Sequence, residues 1–166
     1  MTLPDKYPIP YLQDCTHFLS GCTYFSKVDL VRSYQQIPVA PQEVKKTAIT
    51  TPFGSFEFKR VPFGLRNAAQ AFQRLMDQIA GDLDFVFIYL DDILVASKSY
   101  EQHLEHIRIL FERLEEAGMV LNTTKCVFAT TELEFLGQHI SRHRSVPIAA
   151  EVAAIKEFPR PETRRY

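Results

Sequence analysis

The sequence has few of the residues that mark secreted, membrane or metal-stapled proteins. Its three cysteines, Cys15, Cys22 and Cys126, match neither the spacing of a metal site nor a disulfide framework, which indicates a reducing compartment. No run of about 18 apolar residues and no charged-then-apolar N-terminal signal occurs. We therefore expect an intracellular protein that is neither secreted nor membrane-bound.

The charge of the chain is nearly balanced. Its formal net charge is −1 at pH 7, so it lacks the global basic field of a nucleic-acid coat protein. This weakens the case for a purely electrostatic binder, although local basic positions can still contact phosphates. The 166 residues, 46% of them hydrophobic, fit one compact domain of ordinary core size.

Hydrophobic periodicity and turn residues predict alternating helices and strands. In order these are an extended proline-rich arm over 1–11, a helix over 13–20, a strand over 23–30, a helical turn over 32–36, strands over 47–51 and 55–61, a helix over 67–80, a hairpin over 85–96, a helix over 99–117, strands over 127–129 and 134–141, and a helix over 148–158, followed by a basic end at Arg164 and Arg165. We expect an α+β fold in which helices pack on one face of an antiparallel sheet.

Two helices carry start and stop signals. Asn67 with Gln70, and Ser99 with Gln102, predict capping boxes, and a glycine follows each helix. Their predicted buried stripes are Phe72, Leu75, Met76 and Ile79 in the first helix and Leu104, Ile107, Phe111 and Leu114 in the second. His103 and His106 have no third ligand nearby, so we interpret them as surface residues rather than metal ligands.

Two adjacent carboxylates, Asp91 and Asp92, interrupt the apolar stretch between Phe85 and Ala96. A hairpin with both acids at its tip lets them face the same side; an ordinary acidic turn is the alternative, although the glycine of a tight turn is missing. Such a pair costs about 4 kcal/mol at 4 Å and an effective dielectric near 20. Since no Lys or Arg occurs within this stretch, a divalent cation bound by carboxylate oxygens is the leading hypothesis.

Asp29 is the third acid of interest. It ends a predicted strand that a sheet could bring beside the Asp91/Asp92 tip, although it could instead cap the helical turn that follows. Three carboxylates around two divalent ions about 3.5–4 Å apart suit phosphoryl or nucleotidyl transfer.

These acids belong to an ordered set of motifs that covers nearly the whole chain. The motifs are Asp5-Lys-Tyr-Pro-Ile-Pro10, Phe25-Ser-Lys-Val-Asp-Leu30, Val61-Pro-Phe-Gly-Leu65 with Asn67-Ala68, Tyr89-Leu-Asp-Asp92 and Glu134-Phe-Leu-Gly137. In order and spacing they resemble the reverse transcriptases of gypsy-class LTR retrotransposons. The resemblance implies an RNA-directed DNA polymerase palm with part of the fingers, the fingers over about 1–22 and 35–65 and the palm over the remainder.

The resemblance also implies roles for individual residues. Asp29 and Asp91 resemble the principal ligands of two Mg²⁺ or Mn²⁺ ions, and Asp92 resembles a less direct partner. The nucleotide-binding positions are Leu30, Tyr34, Phe63, Gly64 and Lys125, and the primer-grip positions are Phe135, Leu136 and Gly137. Tyr34 matches the aromatic that excludes a ribose 2′-hydroxyl, and Lys125 the lysine proposed to protonate pyrophosphate. A core tyrosine and a loop lysine are the plainer interpretations of these two residues.

The chain departs from the family pattern in three places. Ala69 replaces the usual proline, which extends the helix start, and His143–Pro147 replaces a glycine-containing turn. We also expect the basic finger segment before Asp5, the thumb and the ribonuclease H to be absent. Without that segment, a triphosphate of about four negative charges would bind weakly.

The expected partners are an RNA or DNA template with its primer, a deoxynucleoside triphosphate and the remainder of the Pol polyprotein, with no membrane. The expected location is the cytoplasm, a virus-like particle or the nucleus. The alternative function is an inactive retroelement remnant that acts at most as a nucleic-acid-binding or interaction module; another two-metal phosphoryl-transfer enzyme fits the motifs less well.

Overall fold

The computed structural model describes residues 3–143 and 145–158, so the basic end at Arg164 and Arg165 lies outside the described residues. Its elements are α1 (Leu12–Phe18), β1 (Tyr24–Asp29), 3-10 helices at Ser33–Gln36 and Val44–Thr47, β2 (Ile49–Thr51), β3 (Gly54–Phe56), α2 (Ala68–Ala80), β4 (Val86–Tyr89), β5 (Asp92–Ser97), α3 (Tyr100–Glu116), β6 (Val127–Thr130), β7 (Glu132–Phe135), β8 (Gln138–Ser141), β9 (Ser145–Pro147) and α4 (Ala149–Glu157). None of the helices described is long and apolar enough to span a membrane.

The central sheet has four antiparallel strands in the order β4-β5-β1-β6, and its inner strands are buried on both faces. Val28, Ile93 and Val95 point to the face that α2 and α3 cover. Phe25 and Leu94 point to the opposite face, under α1 and the three-stranded sheet β7-β8-β9. The α+β class is confirmed, as is the prediction that the two long helices cover one face.

The stretch 134–141 is not one strand, as the sequence had suggested, but most of a hairpin. Strands β7 and β8 pair antiparallel with Phe135 opposite Gln138, and Leu136 and Gly137 form the turn between them. Both turn residues have positive φ, 48° and 73°, a backbone region that glycine enters at little cost. The sequence pattern around Leu136 resembles that of one continuous strand, so it did not indicate that the chain reverses direction there.

The predicted capping box at Asn67 is wrong, although Asn67 does begin α2. Its side chain binds the N-terminal arm instead: Oδ1 accepts from the Asp5 amide at 3.1 Å, and Nδ2 donates to the Leu3 carbonyl at 2.8 Å. Arg74 of α2 completes the attachment through a 2.7 Å ion pair with Asp5. The arm is extended, as expected, but it is packed along α2, and Gln70 Oε1 is buried without a hydrogen-bond partner in the described structure.

The interpretation of the two histidines as surface residues is also wrong. His103 is fully buried, whereas Leu104, placed in the apolar stripe by sequence, is 49% exposed. His103 Nε2 lies 2.7 Å from Ser26 Oγ, its Nδ1 lies 2.8 Å from Ser97 Oγ, and Ser97 Oγ also lies 2.8 Å from Nδ1 of half-buried His106. Serine hydroxyls in β1 and β5 therefore turn this part of α3 toward the sheet, because they supply the partners that a buried imidazole needs.

This buried network predicts a pH-dependent stability. Burial, and next the nearby His106, lowers the pKa of His103 to about 4, against about 6.5 in an unfolded chain. Between these values the unfolded state binds more protons, so the stabilisation is complete above about pH 6.5 and falls as the pH drops toward 4, by up to about 3 kcal/mol. Thermal unfolding across this range should show a shallower pH dependence for His103→Gln than for wild type.

His17→Gln is the matched control, because His17 is exposed on α1. This variant should retain the wild-type slope. An equally steep pH dependence in His103→Gln would show that His103 does not carry the effect.

Candidate functional site

The predicted hairpin forms, but only one of the two acids lies at its tip. Strands β4 and β5 pair antiparallel with Tyr89 opposite Asp92, and Leu90 and Asp91 form the two-residue turn between them. Leu90 has a positive φ of 54°, which is costly for a leucine, so tertiary contacts must hold this turn. Asp91 is exposed in the turn itself, whereas Asp92 is the first residue of β5 and half-buried.

Gln73 supplies the contact that holds this turn. It is fully buried on α2, and its Oε1 accepts a hydrogen bond from the Leu90 amide at 2.8 Å. Its Nε2 donates to the Ile88 carbonyl at 3.2 Å and to Asp77 Oδ1 at 3.0 Å. Helical periodicity alone does not single out Gln73, although a glutamine between two positions of an apolar stripe, Phe72 and Met76, is a recognisable signal.

Asp29 lies directly opposite Asp92 in the pairing of β1 with β5. Residues opposite each other in an antiparallel pair project to the same face, with Cβ atoms about 4.5–5.5 Å apart. The alternative role of Asp29 as a helix cap does not apply, because the cap position of the following 3-10 helix is Arg32, where no side-chain cap bond forms. The fold thus places Asp29 beside Asp92 at one edge of the central sheet, with Asp91 in the adjoining turn.

Asp92 has a basic partner that the local sequence does not show. Lys27 Nζ in β1 lies 3.0 Å from Asp92 Oδ1. The stretch from Phe85 to Ala96 contains no Lys or Arg, but a lysine from a different strand provides a basic partner for Asp92. Lys27 and Asp29 are two apart in a strand and share a face, which is the signal that could have found it. Among the described residues, no group of three or more His, Cys, Asp or Glu side chains is arranged to hold a metal ion.

Two of the predicted nucleotide-binding residues meet beside the turn. The rings of Tyr34 and Phe63 lie 5.9 Å apart, and Tyr34 also contacts Phe72 of α2 at 5.2 Å. Burial, and then the negative charge of Asp91, raises the pKa of the Tyr34 hydroxyl. Phe63 is 67% exposed, and Gly64 beside it has a positive φ of 87°.

Lys125 and Leu30 lie on segments attached to Asp29. The Asn122 amide donates to the Asp29 carbonyl at 2.8 Å, and the Asp29 amide donates to Cys126 Sγ at 3.3 Å. Lys125 is exposed on this 122–126 turn, and Leu30 is buried immediately after Asp29. The structure therefore brings both residues to the neighbourhood of the acids.

The predicted primer-grip residues lie at the β7–β8 turn, over the same face of the central sheet as Lys27, Asp29 and Asp92. Phe135 is buried, with its ring 6.4 Å from that of Phe87 and 5.8 Å from Lys27 Nζ. Leu136 and Gly137 are half-buried at the turn. This turn is thus linked to the acidic edge through Lys27.

An antiparallel sheet with three acids at one edge and two helices across one face is the architecture of an α+β polymerase palm. The chain belongs to the reverse transcriptase (RNA-dependent DNA polymerase) family, which matches residues 2–140. It is similar to Pol polyproteins of retrotransposons.

The relatives are much longer than this chain. It is 38% identical to the Pol polyprotein from transposon 297 of Drosophila melanogaster over 97% of the chain, but only 15% of that protein is covered. It is 36% identical to the Pol polyprotein from transposon opus of the same species over 97% of the chain, which covers 16% of that protein. It is 31% identical to the Tf2-3 polyprotein of Schizosaccharomyces pombe over 98% of the chain, which covers 12% of that protein. The chain therefore spans about one seventh of the curated relatives it matches.

Solved structures support the fold. The foamy viral protease-reverse transcriptase in complex with an RNA/DNA hybrid matches 96% of this chain and 22% of its own, with a TM-score of 0.84 and 21% identity. The dRH form of that protein in complex with double-stranded DNA matches 96% of this chain and 28% of its own, with a TM-score of 0.87 and 21% identity.

The geometry of the turn predicts that Gln73→Leu destabilises the protein. The change leaves the Leu90 amide and the Ile88 carbonyl without their buried partner, which should lower the free energy of unfolding by about 1–3 kcal/mol. Gln78→Leu is the matched control, because Gln78 is exposed on the same helix. Denaturant unfolding measures both, and equal stabilities would contradict the role of Gln73.

Proposed function

We propose that this chain is the palm and part of the fingers of an RNA-directed DNA polymerase from a gypsy-class LTR retrotransposon. The observation that carries the proposal is the position of Asp29 directly opposite Asp92, next to the exposed Asp91. The ordered motifs favour the gypsy class, and similarity to retrotransposon Pol polyproteins agrees with it. Residues 1–22 and 35–65 would be the fingers, and the remainder the palm.

The donor set at the acidic edge fits hard divalent cations. Carboxylate oxygens are the ligands that Mg²⁺ and Mn²⁺ prefer, and these carboxylates are exposed or half-buried, so an ion can reach them. Asp29 and Asp91 would hold two ions, with Asp92 contributing less directly because Lys27 engages it. When bound, such ions activate the attacking oxygen and stabilise the leaving pyrophosphate.

The side chains around the acids suit a deoxynucleoside triphosphate. In the proposed reaction, the primer 3′-hydroxyl gives its proton to solvent water and forms a bond to the α-phosphorus, and the bond from the α-phosphorus to the oxygen that bridges to the β-phosphorus breaks to release pyrophosphate. Tyr34 and Phe63 would form the floor beneath the sugar, with Gly64 and Leu30 beside it. Lys125 would give a proton to the pyrophosphate.

The nucleic acid would approach from the side of the β7–β8 turn. Phe135, Leu136 and Gly137 would hold the primer end through backbone groups, and the template would be bound mostly through its own backbone, as sequence-tolerant copying requires. The similar foamy viral proteins are described in complex with an RNA/DNA hybrid and with double-stranded DNA. The remaining regions of the polyprotein would supply the thumb and ribonuclease H, and the enzyme would work in the cytoplasm, a virus-like particle or the nucleus.

The proposed metal ligands predict that Asp91→Asn abolishes polymerisation. Loss of a ligand worth several kcal/mol should lower primer extension on an RNA template, with Mg²⁺ or Mn²⁺, by at least about a hundredfold. Asp84→Asn is the matched control, because Asp84 is an exposed acid just before β4. Equal extension by wild type and Asp91→Asn would rule out catalysis at this site and favour an inactive remnant.

The ring of Tyr34 predicts discrimination against ribonucleotides. Tyr34→Ala would open space beneath the sugar, so incorporation of ribonucleotides relative to deoxynucleotides should rise by about 10- to 100-fold. Tyr100→Ala, which removes a partly exposed tyrosine of α3, should leave the ratio unchanged. An unchanged ratio in Tyr34→Ala would show that Tyr34 is only a core residue.

A further inference from the structure

We propose that Lys27 is a positioning residue: its ammonium group is a fixed counter-ion that engages the Asp92 carboxylate and limits how strongly the acidic edge attracts divalent cations. The inference rests on the proposed function of Asp29 and Asp91 as metal ligands, and it explains why three similar acids would take unequal roles. The evidence for this role is the contacts that Lys27 makes with Asp92 and Phe135.

The sheet register fixes the pairing of Lys27 with Asp92. Lys27 lies opposite Leu94, and Asp29 lies opposite Asp92, so Lys27 and Asp92 are diagonal neighbours on one face of the β1–β5 ladder. Their Nζ–Oδ1 distance is 3.0 Å, and the two side chains are only 27% and 30% exposed. The backbone pairing of β1 with β5 therefore sets this ion pair, and the two side chains are largely shielded from solvent.

A second contact, with an aromatic ring, holds the same ammonium group. Lys27 Nζ lies 5.8 Å from the centre of the Phe135 ring, within the range of a cation–π interaction. Phe135 belongs to the turn proposed as the primer grip, and its own ring packs against Phe87. Lys27 therefore connects the acidic edge of the central sheet to the β7–β8 turn.

The surroundings of Lys27 favour an apolar side chain at this position. Phe25, Leu94 and Ala96 are buried on the same face, as is Phe135 above them. A lysine there must extend its apolar stem along this surface and find an anion at its end. Asp92 is the acid with which Lys27 forms an ion pair within residues 3–143 and 145–158.

The charges at the acidic edge determine how strongly it attracts divalent cations. Asp29 and Asp92 lie directly opposite each other, an arrangement of like charges that is unfavourable unless a cation offsets it. Lys27 supplies that cation through its ion pair with Asp92, which leaves the Asp29 and Asp91 carboxylates available to divalent ions. Removing its charge leaves Asp92 available to a divalent ion and makes the whole edge more negative, so cation affinity should rise.

Mn²⁺ binding, followed by the electron paramagnetic resonance signal of the free ion, tests this without any need for polymerase activity. Lys27→Met keeps the length of the side chain and removes its charge, so it should bind Mn²⁺ about 2- to 5-fold more tightly than wild type, the scale of one partly exposed ion pair. Lys27→Arg keeps the charge and should bind no more tightly than wild type. Lys98→Met changes the net charge equally at an exposed position beyond β5 and is the matched control.

The variants separate failure of this inference from failure of the proposed function. If Lys27→Met binds Mn²⁺ no more tightly than Lys98→Met, the role of Lys27 is overturned while the metal site stands. If Asp91→Asn binds as tightly as wild type, the proposed metal ligands are wrong. Absence of binding in wild type and Lys27→Met alike would overturn both.

Thermal unfolding in EDTA tests the ion pair itself in the absence of metal. Because Met suits the apolar surroundings, the ion pair is measured by comparing two backgrounds. Lys27→Met should be less favourable to the unfolding midpoint in the wild-type background than in the Asp92→Asn background, where the partner charge is already gone, by about 2–4 °C for an ion pair worth about 1 kcal/mol in a domain of this size. Equal shifts in the two backgrounds would show that Lys27 and Asp92 are not coupled and would overturn the inference.

Discussion

The pairing of β1 with β5 is the constraint on which the candidate site depends. Its register sets Asp29 opposite Asp92 and leaves Asp91 in the adjoining turn. Because side chains alternate along a strand, a slip of one residue would send Asp29 to the opposite face and bury Lys27 among the helices. Both faces of these strands are buried, one under α2 and α3 and the other under α1 and the β7-β8-β9 sheet, and this double burial fixes the register.

The features that sequence could predict are those carried by local patterns. The hairpin around Asp91, the strand that ends at Asp29 and the helix after Asn67 each follow from periodicity and turn residues near them in the chain. The order of the motifs added the family and the α+β class. Each of these elements is specified by residues within or next to it, so contacts with distant parts of the chain alter it little.

The features that sequence could not predict depend on contacts between distant segments. Lys27 meets Asp92 only after two strands 65 residues apart pair, and Gln73 reaches the Leu90 amide from another element. His103 is buried because Ser26 and Ser97 supply its partners, which no helical periodicity of α3 reveals. Each of these is a polar group whose cost of burial depends on a partner elsewhere in the chain.

We propose that Asp29 and Asp91 bind divalent cations at one edge of the central sheet, and every proposed role above depends on this binding. The most direct measurement is an anomalous difference map from crystals of this chain soaked in Mn²⁺. We expect a peak within coordination distance of carboxylate oxygens of both Asp29 and Asp91. A peak that lies away from Asp29, or carboxylates at 29 and 91 too far apart to share an ion, would contradict it.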